Sequence, residues 1–227
     1  MIVKKYRARV NSLKNPAKGI YTLEFRSSDG PFRYVPGQFL HLALDNEYDG
    51  TGQWPESRCF SMQSNPDEPD LRITYAVKGR FTGMMEKQLK VGSEVWLKLP
   101  YGDLFTRNHH RKDTVFIAGG TGITPFLSLF THQSFREYES PRIYIGFRSE
   151  ELNIYQAELG RICNSSVLVK YVYESKDGRL GIKQIIEENG MAPDFFISGP
   201  PEMIKTFRDN LINAGISLNQ IKTDDWE

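Results

Sequence analysis

Four short stretches hold side chains that could do chemistry together. "RCFS" (Arg58–Ser61) sets a cation, an aromatic ring and a hydroxyl within four residues. On a strand, alternation would put Arg58 and Phe60 on one face and Cys59 and Ser61 on the other. "GRFT" (Gly79–Thr82) places a glycine and a hydroxyl where a helix begins, an arrangement that suits an anion because the first helical N–H groups lack partners. "GGTGITP" (Gly119–Pro125) and "SGPPEM" (Ser198–Met203) each follow an apolar run and lead into a helical pattern. Glycine there lets backbone approach a phosphate closely, and Pro125 fits the first helical position, where its missing N–H costs nothing. A pyrophosphate at such a terminus gains about 0.3–1 kcal/mol from the dipole at a surface, and more when partly buried. Each stretch also has a plainer reading: Phe60 as core, Thr82 as an N-cap, the glycine turn as binding nothing, Pro200-Pro201 as a rigid turn.

The elements that must position these residues change character along the chain. "IVKKYRARV", "IYTLEFR", "QFLHLAL", "RCFSM", "LRITYAV" and "EVWLKL" alternate in twos and are separated by turn formers such as Asn15-Pro16, Asp29-Gly30-Pro31 and Asn65-Pro66. They predict a six-stranded antiparallel β-barrel over residues 1–106, with one helix beginning near Thr82 and carrying Met84, Met85 and Leu89. After "TRNHHRKD" the apolar runs Val115–Ala118, Ile143–Phe147, Val167–Tyr173 and Phe195–Ser198 alternate with helical spacings such as Ile204, Phe207 and Leu211. Gly190 and Gly215 stand where helix C-caps belong. That rhythm predicts an α/β domain with a parallel sheet over residues 112–227, whose ligands bind beyond the carboxyl ends of its strands.

Composition narrows the function classes. Of 227 residues, 39% are hydrophobic and 25% charged, as in an ordinary soluble protein. The net charge of +1 gives no global field to recruit nucleic acid or an acidic membrane. Cys59 and Cys163 stand far apart, with no ladder of zinc or iron–sulfur ligands, and read as free thiols of a reducing cytoplasm. The alternating start "MIVKKYRARV" does not read as a signal peptide, and no run is long enough to span a bilayer. No metal site is expected; adjacent His109-His110 is not a convincing pair.

Taken in order, "RCFS", "GRFT", "GGTGITP" and "SGPPEM" resemble the ferredoxin–NADP(+) reductase family over nearly the whole chain. The resemblance implies an FAD-binding barrel followed by a domain for NADP or NAD. It implies that Arg58 pairs with the FAD pyrophosphate, Phe60 lies against the isoalloxazine and Ser61 bonds near flavin N5, with Cys59 between them. Tyr75, Val77, Gly79, Phe81 and Thr82, in "YAVKGRFT", would line the rest of the flavin and its phosphates. Thr121, Gly122, Thr124 and Pro125 match the nucleotide turn, and Gly199, Pro200, Glu202 and Met203 the nicotinamide side. "PGQF" and "PYGDLF" resemble barrel segments of mainly structural role. Ser198 stands where the family usually has cysteine near the hydride path, which implies a tuned or slowed transfer. "IKTDDWE" is similar to an ending with an acid and an aromatic, so Asp224 joins Ser61 and Ser198 as a catalytic candidate, and Trp226 would cover the flavin. Hydride transfer needs nicotinamide C4 held against flavin N5, after which the flavin can pass electrons singly.

"GFRSEEL" places Arg148, with Ser149 beside it, to meet an adenosine 2′-phosphate, and Ser175, Lys176 and Arg179 offer further partners. A charge-assisted bond of about 1.5–3 kcal/mol would favour NADPH over NADH by roughly one to two decades. NADPH is the favoured nucleotide; the plainer alternative is Ser149 as an N-cap followed by Glu150 and Glu151, which needs no phosphate. The expected acceptor is a ferredoxin, a flavodoxin or a ferric compound, and the basic "RNHHRK" would dock an acidic partner or is a solvated linker. A free-flavin reductase and a non-catalytic flavin-binding electron-transfer subunit are the alternative readings.

Overall fold

A computed structural model describes residues 2–45, 47–162 and 167–224. Cys163 and Trp226, both named above, lie outside them. The chain forms two compact units, Met1–Asp103 with Thr124–His132, and Leu104–Ile123 with Gln133–Glu227.

In the first unit, strands β1 (Lys4–Ala17), β2 (Ile20–Ser27), β3 (Phe39–Ala43), β4 (Ser57–Ser61), β5 (Leu71–Ala76) and β6 (Glu94–Tyr101) form one sheet in the order β4-β3-β6-β1-β2-β5. All its ladders are antiparallel, as the alternation predicts. Inward residues Val10, Leu23, Phe25, Leu40, Leu42, Ile73, Leu97 and Leu99 are fully buried, each side chain contributing about 1.5–3 kcal/mol. The two edges are brought back toward each other just past β4, where Gln63 N–H donates to Arg72 O at 2.8 Å. The barrel helix α1 (Arg80–Gln88) starts two residues before Thr82 and buries Phe81 and Met85.

In the second unit, β7 (Thr114–Gly119), β8 (Arg142–Phe147), β9 (Leu168–Tyr173), β10 (Asp194–Ser198) and β11 (Ile221–Thr223) form a parallel sheet ordered β11-β10-β7-β8-β9. Alternation sorts its two faces. Val115, Ile117, Phe195 and Ile197 pack with Ile182, Ile185, Ile204, Phe207 and Leu211, while Phe116 and Phe196 stack at 5.4 Å on the other side. Phe105 and His109 cover that second face, their rings 5.1 and 5.0 Å from Phe196. The segment read as a linker is therefore partly structural, with His109 half-buried.

Helix α2 (Thr124–Thr131) belongs to the first unit, although it follows β7 directly. It is preceded by a 3-10 turn over Gly120–Ile123, so the helical run starts at Gly120 and not at Pro125. Pro125 marks the passage from the 3-10 turn to the α-helix. The remaining helices are α3 (Gln156–Ile162), α4 (Glu174–Asp177), α5 (Ile182–Asn189) and α6 (Pro201–Asn213). The short turn α4 carries Ser175 and Lys176. Gly190 is the C-cap of α5, and Gly215, at φ +91°, follows the end of α6. No helix of the described residues is long and apolar enough to cross a membrane.

Candidate functional site

Strand order in the second unit reverses between β7 and β10, the place where open parallel sheets bind ligands. The turn after β7 and the turn after β10 meet there with almost no space between them. A Cβ on Gly122 would stand 2.5 Å from Gly199 Cα and 2.6 Å from Ser198 O. One on Gly119 would stand 2.8 Å from both Pro200 Cδ and Met203 Sδ. These glycines therefore interlock the two turns, a packing role in addition to the phosphate approach expected of glycine there. Gly120 is different: it adopts φ +55°, and nothing lies within 4 Å of where its Cβ would be. Its neighbours Thr121 and Gly122 are half-buried, and Thr124 and Pro125 are buried.

Ser198 is buried at the end of β10, where its Oγ donates to Asp224 Oδ2 at 3.0 Å. The short strand β11 brings Asp224 there, and Asp224 N–H donates to Ile197 O at 2.9 Å. Two candidates that stand far apart in sequence thus form one pair. In α6, Glu202 is exposed in the first turn, and Met203 fills the space over Gly119 and Gly199.

At the ends of β8 and β9, Ser175 N–H donates to Arg148 O at 3.0 Å, which joins the two proposed 2′-phosphate segments. The Ser149 hydroxyl bonds Glu151 and holds that carboxyl below its usual range. Lys176 pairs with Glu150, and Arg179 with Glu174 at 2.8 Å. These acids occupy Ser149, Lys176 and Arg179, while the Arg148 side chain is exposed.

The first unit brings "RCFS" and "GRFT" together. The Arg58 guanidinium lies 5.7 Å from the Phe81 ring centroid, and its Nη1 donates to Ser57 O at 3.0 Å. Thr82 Oγ1 accepts from Lys78 N–H at 3.0 Å and Gly79 N–H at 3.1 Å, so it helps to cap α1. By helix geometry this leaves the Arg80 and Phe81 N–H groups directed out of the helix start. Gly79 is exposed, with nothing within 4 Å of its missing side chain.

The Phe60 ring sits 5.9 Å from Tyr75, which stacks on Tyr21 at 5.6 Å. Tyr75 is 3% exposed, yet its hydroxyl has no hydrogen-bond partner among the described residues. Such an orphan costs roughly 1–3 kcal/mol. Burial, with Tyr21 and Glu86 nearby, pushes its phenol pKa well up. Val77 is half-buried and bonds Gly19 O through its N–H at 2.8 Å. Ser61 is buried and pairs with Phe39 across the ladder. Cys59 turns toward His41, Sγ to Nε2 3.6 Å; burial raises the thiol pKa and lowers that of the imidazole. A cation, an open glycine at a helix start and an unpaired phenol are a donor set that fits FAD, and the open turn at Gly120 fits a nucleotide pyrophosphate.

A cavity of about 500 Å³ opens among Arg107, His110, Asp194, Gln220 and Lys222, at the amino ends of β10 and β11. It lies at the opposite end of the sheet from the glycine turns, and its buried charges pair internally: Lys222 Nζ lies 2.7 Å from Asp194 Oδ1. Among the described residues, no three His, Cys, Asp or Glu side chains converge on a metal-sized site.

Residues 116–209 match the oxidoreductase NAD-binding domain family. The reductase component of propane 2-monooxygenase from Mycolicibacterium smegmatis is 29% identical over an alignment 223 positions long, gaps included, which covers 89% of this chain and 62% of that protein. The chain therefore spans less than two thirds of that relative's length. The ferredoxin reductase of carbazole 1,9a-dioxygenase superposes with TM-score 0.79 at 21% identity, over 100% of this chain and 70% of that one. A ferredoxin NADP+ reductase from Neisseria gonorrhoeae, with bound FAD and NADP, gives TM-score 0.80 at 19% identity over 97% of each chain. These two likenesses establish the fold.

Proposed function

We propose that this chain, a member of the ferredoxin–NADP(+) reductase-like flavoprotein family, is an FAD-dependent NAD(P)H reductase that hands electrons to a separate redox partner. The observation that carries this reading is the pair of interlocked turns, "GGTGITP" and "SGPPEM", at the switch point between β7 and β10. When bound, FAD supplies an acceptor for the hydride of NAD(P)H and a donor of single electrons.

The chain's own residues bind and orient. Arg58 neutralises the flavin pyrophosphate, helped by the N–H groups at the start of α1. Phe60 and Tyr75 supply the apolar wall, and Ser61 the polar contact beside it. In the second unit, the 3-10 turn after Gly120 receives the nucleotide pyrophosphate. Ser198 has its proton committed to Asp224, so it presents lone pairs and accepts from the carboxamide NH2 of the nicotinamide. Arg148 alone carries a preference for the 2′-phosphate of NADPH, since Lys176 and Arg179 are already paired with acids.

For the acceptor, relatives named as reductase components of oxygenases support the oxygenase itself or a small ferredoxin or flavodoxin serving it. Anaerobic mixing of the FAD-loaded protein with NADPH or NADH is the test. Bleaching of the flavin by either supports the reading; no bleaching by both refutes it. Adding ferredoxins, flavodoxins or ferric chelates to the bleached protein then identifies the acceptor by reoxidation.

A further inference from the structure

Just past the flavin motif, Ser64 is 2% exposed and is bonded at both of its oxygens. Its carbonyl accepts from Tyr34 Oη at 3.0 Å and from Ser128 Oγ at 2.8 Å. Its hydroxyl oxygen accepts from Arg72 N–H at 2.9 Å and lies 2.8 Å from Tyr34 Oη. The next residue, Asn65, donates from Nδ2 to Thr131 O at 2.9 Å, which satisfies a carbonyl at the end of α2. Asn65 Oδ1 in turn accepts from Asp67 N–H at 3.0 Å. Ser128 is fully buried, and a buried, fully satisfied polar network fixes one arrangement of its members.

Helix α2 is thus fastened at its middle and at its end to the segment that continues β4. At its start it is covalently continuous with the 3-10 turn over Gly120–Ile123, the proposed pyrophosphate site. The flavin motif ends at Ser61, three residues before Ser64. None of the network's members is among the residues assigned above to either cofactor.

We propose that Ser128 and Asn65 are positioning residues that make flavin binding and nucleotide binding interdependent, with Ser64 as the joint between the flavin strand and α2. The inference rests on the reading of the chain as an NAD(P)H reductase. Ordering of the glycine turn by a nucleotide restrains α2, and α2 restrains the strand that carries Arg58, Phe60 and Ser61. Linkage is reciprocal, so FAD must tighten nucleotide binding by the same factor as nucleotide tightens FAD.

The test is a fluorescence titration of FAD into flavin-free protein, with and without saturating oxidised nucleotide, NADP+ or NAD+ according to which reduced form bleaches the flavin. The wild type is expected to bind FAD at least about fivefold more tightly with nucleotide present. Ser128→Ala and Asn65→Ala should each bring that ratio close to one, while Ser128→Thr, which keeps the donor, should restore it. A merely structural role would weaken FAD binding equally in both titrations and leave the ratio unchanged, which overturns the proposal. A wild-type ratio of one, with both ligands binding, overturns it too. Should Ser128→Ala fail to fold, the ratio measured for Asn65→Ala, at a half-exposed position, decides between the two outcomes by itself. Failure of the reductase reading is separate, since it appears as absent bleaching in the wild type.

Discussion

Ser198 Oγ donates to Asp224 Oδ2 at 3.0 Å, and both residues stand at the carboxyl edge of the parallel sheet. A neutral hydrogen bond, such as the one proposed from the nicotinamide carboxamide to Ser198 Oγ, contributes about 0.5–1.5 kcal/mol. Ser198→Ala is therefore expected to slow flavin reduction about twofold to tenfold. Ser198→Cys, which restores the side chain that the family resemblance places near the hydride path, should match or exceed the wild-type rate. Stopped-flow bleaching under anaerobic conditions reads both rates, and a Ser198→Ala rate equal to wild type would remove Ser198 from the site.

Arg148 is an exposed cation at the β8–β9 edge, beside Lys176 and Arg179, which pair with Glu150 and Glu174. Arg148→Ala should lower the NADPH/NADH ratio of kcat/KM by about tenfold to a hundredfold. The NADH value itself should barely move. An unchanged ratio would place the 2′-phosphate elsewhere.

Arg58 leans over Phe81 and thereby links "RCFS" to "GRFT", the two stretches proposed to hold flavin. Arg58→Leu should raise the FAD dissociation constant about tenfold or more through loss of a charge-assisted bond. Fluorescence titration measures it, and Arg58→Lys should recover only part of the loss, because a point charge does not replace a planar fork.

Much of the fold was legible because alternation and helical spacing are local signals. All six strands of the first sheet and four of the five in the second follow from them. The strand β11 did not, since it has three residues and its middle one is Lys222, a buried charge that breaks the apolar pattern. The same limit hid the site's assembly. "RCFS" and "SGPPEM" can be recognised as strings, but the contact of Gly122 with Gly199 and the bond of Ser198 to Asp224 depend on strand order. Helix α2 misled most, because its sequence follows the second unit while its hydrogen bonds belong to the first.

Lys222 and Asp194 form a buried ion pair, 4% and 3% exposed at their side chains, and Asp194 also accepts from His110 N–H. Asp194→Ala would leave the ammonium buried without its counter-charge, at a cost of about 3–5 kcal/mol. Asp194→Leu combined with Lys222→Met should recover most of it. Urea unfolding of the three proteins decides the matter.

His109 donates from Nδ1 to Arg107 O at 2.7 Å and accepts at Nε2 from Tyr138 Oη at 2.6 Å. Burial holds its pKa below the ordinary 6.5, with Arg111 adding to the effect. The unfolded chain therefore binds a proton at this residue before the folded one does. Stability should fall as pH drops from 6.5 toward the depressed value and level off below it. His41, also depressed by burial and by Lys98, acts in the same direction. Urea unfolding between pH 7.5 and 5 should show a smaller acid-side loss in His109→Phe than in the wild type; equal losses would exonerate His109.

The near-contact of Gly122 and Gly199 carries a historical consequence. A Cβ on Gly122 would meet the Gly199 backbone, and one on Gly199 would meet Met203 Cε at 2.8 Å and Gly119 N at 3.0 Å, so neither position can accept even a methyl group while the facing turn stays where it is. In any lineage descended from this chain, each site should stay glycine. A replacement at either should arrive only with a shift of the whole β10–α6 turn, and comparison of many related sequences would reveal it.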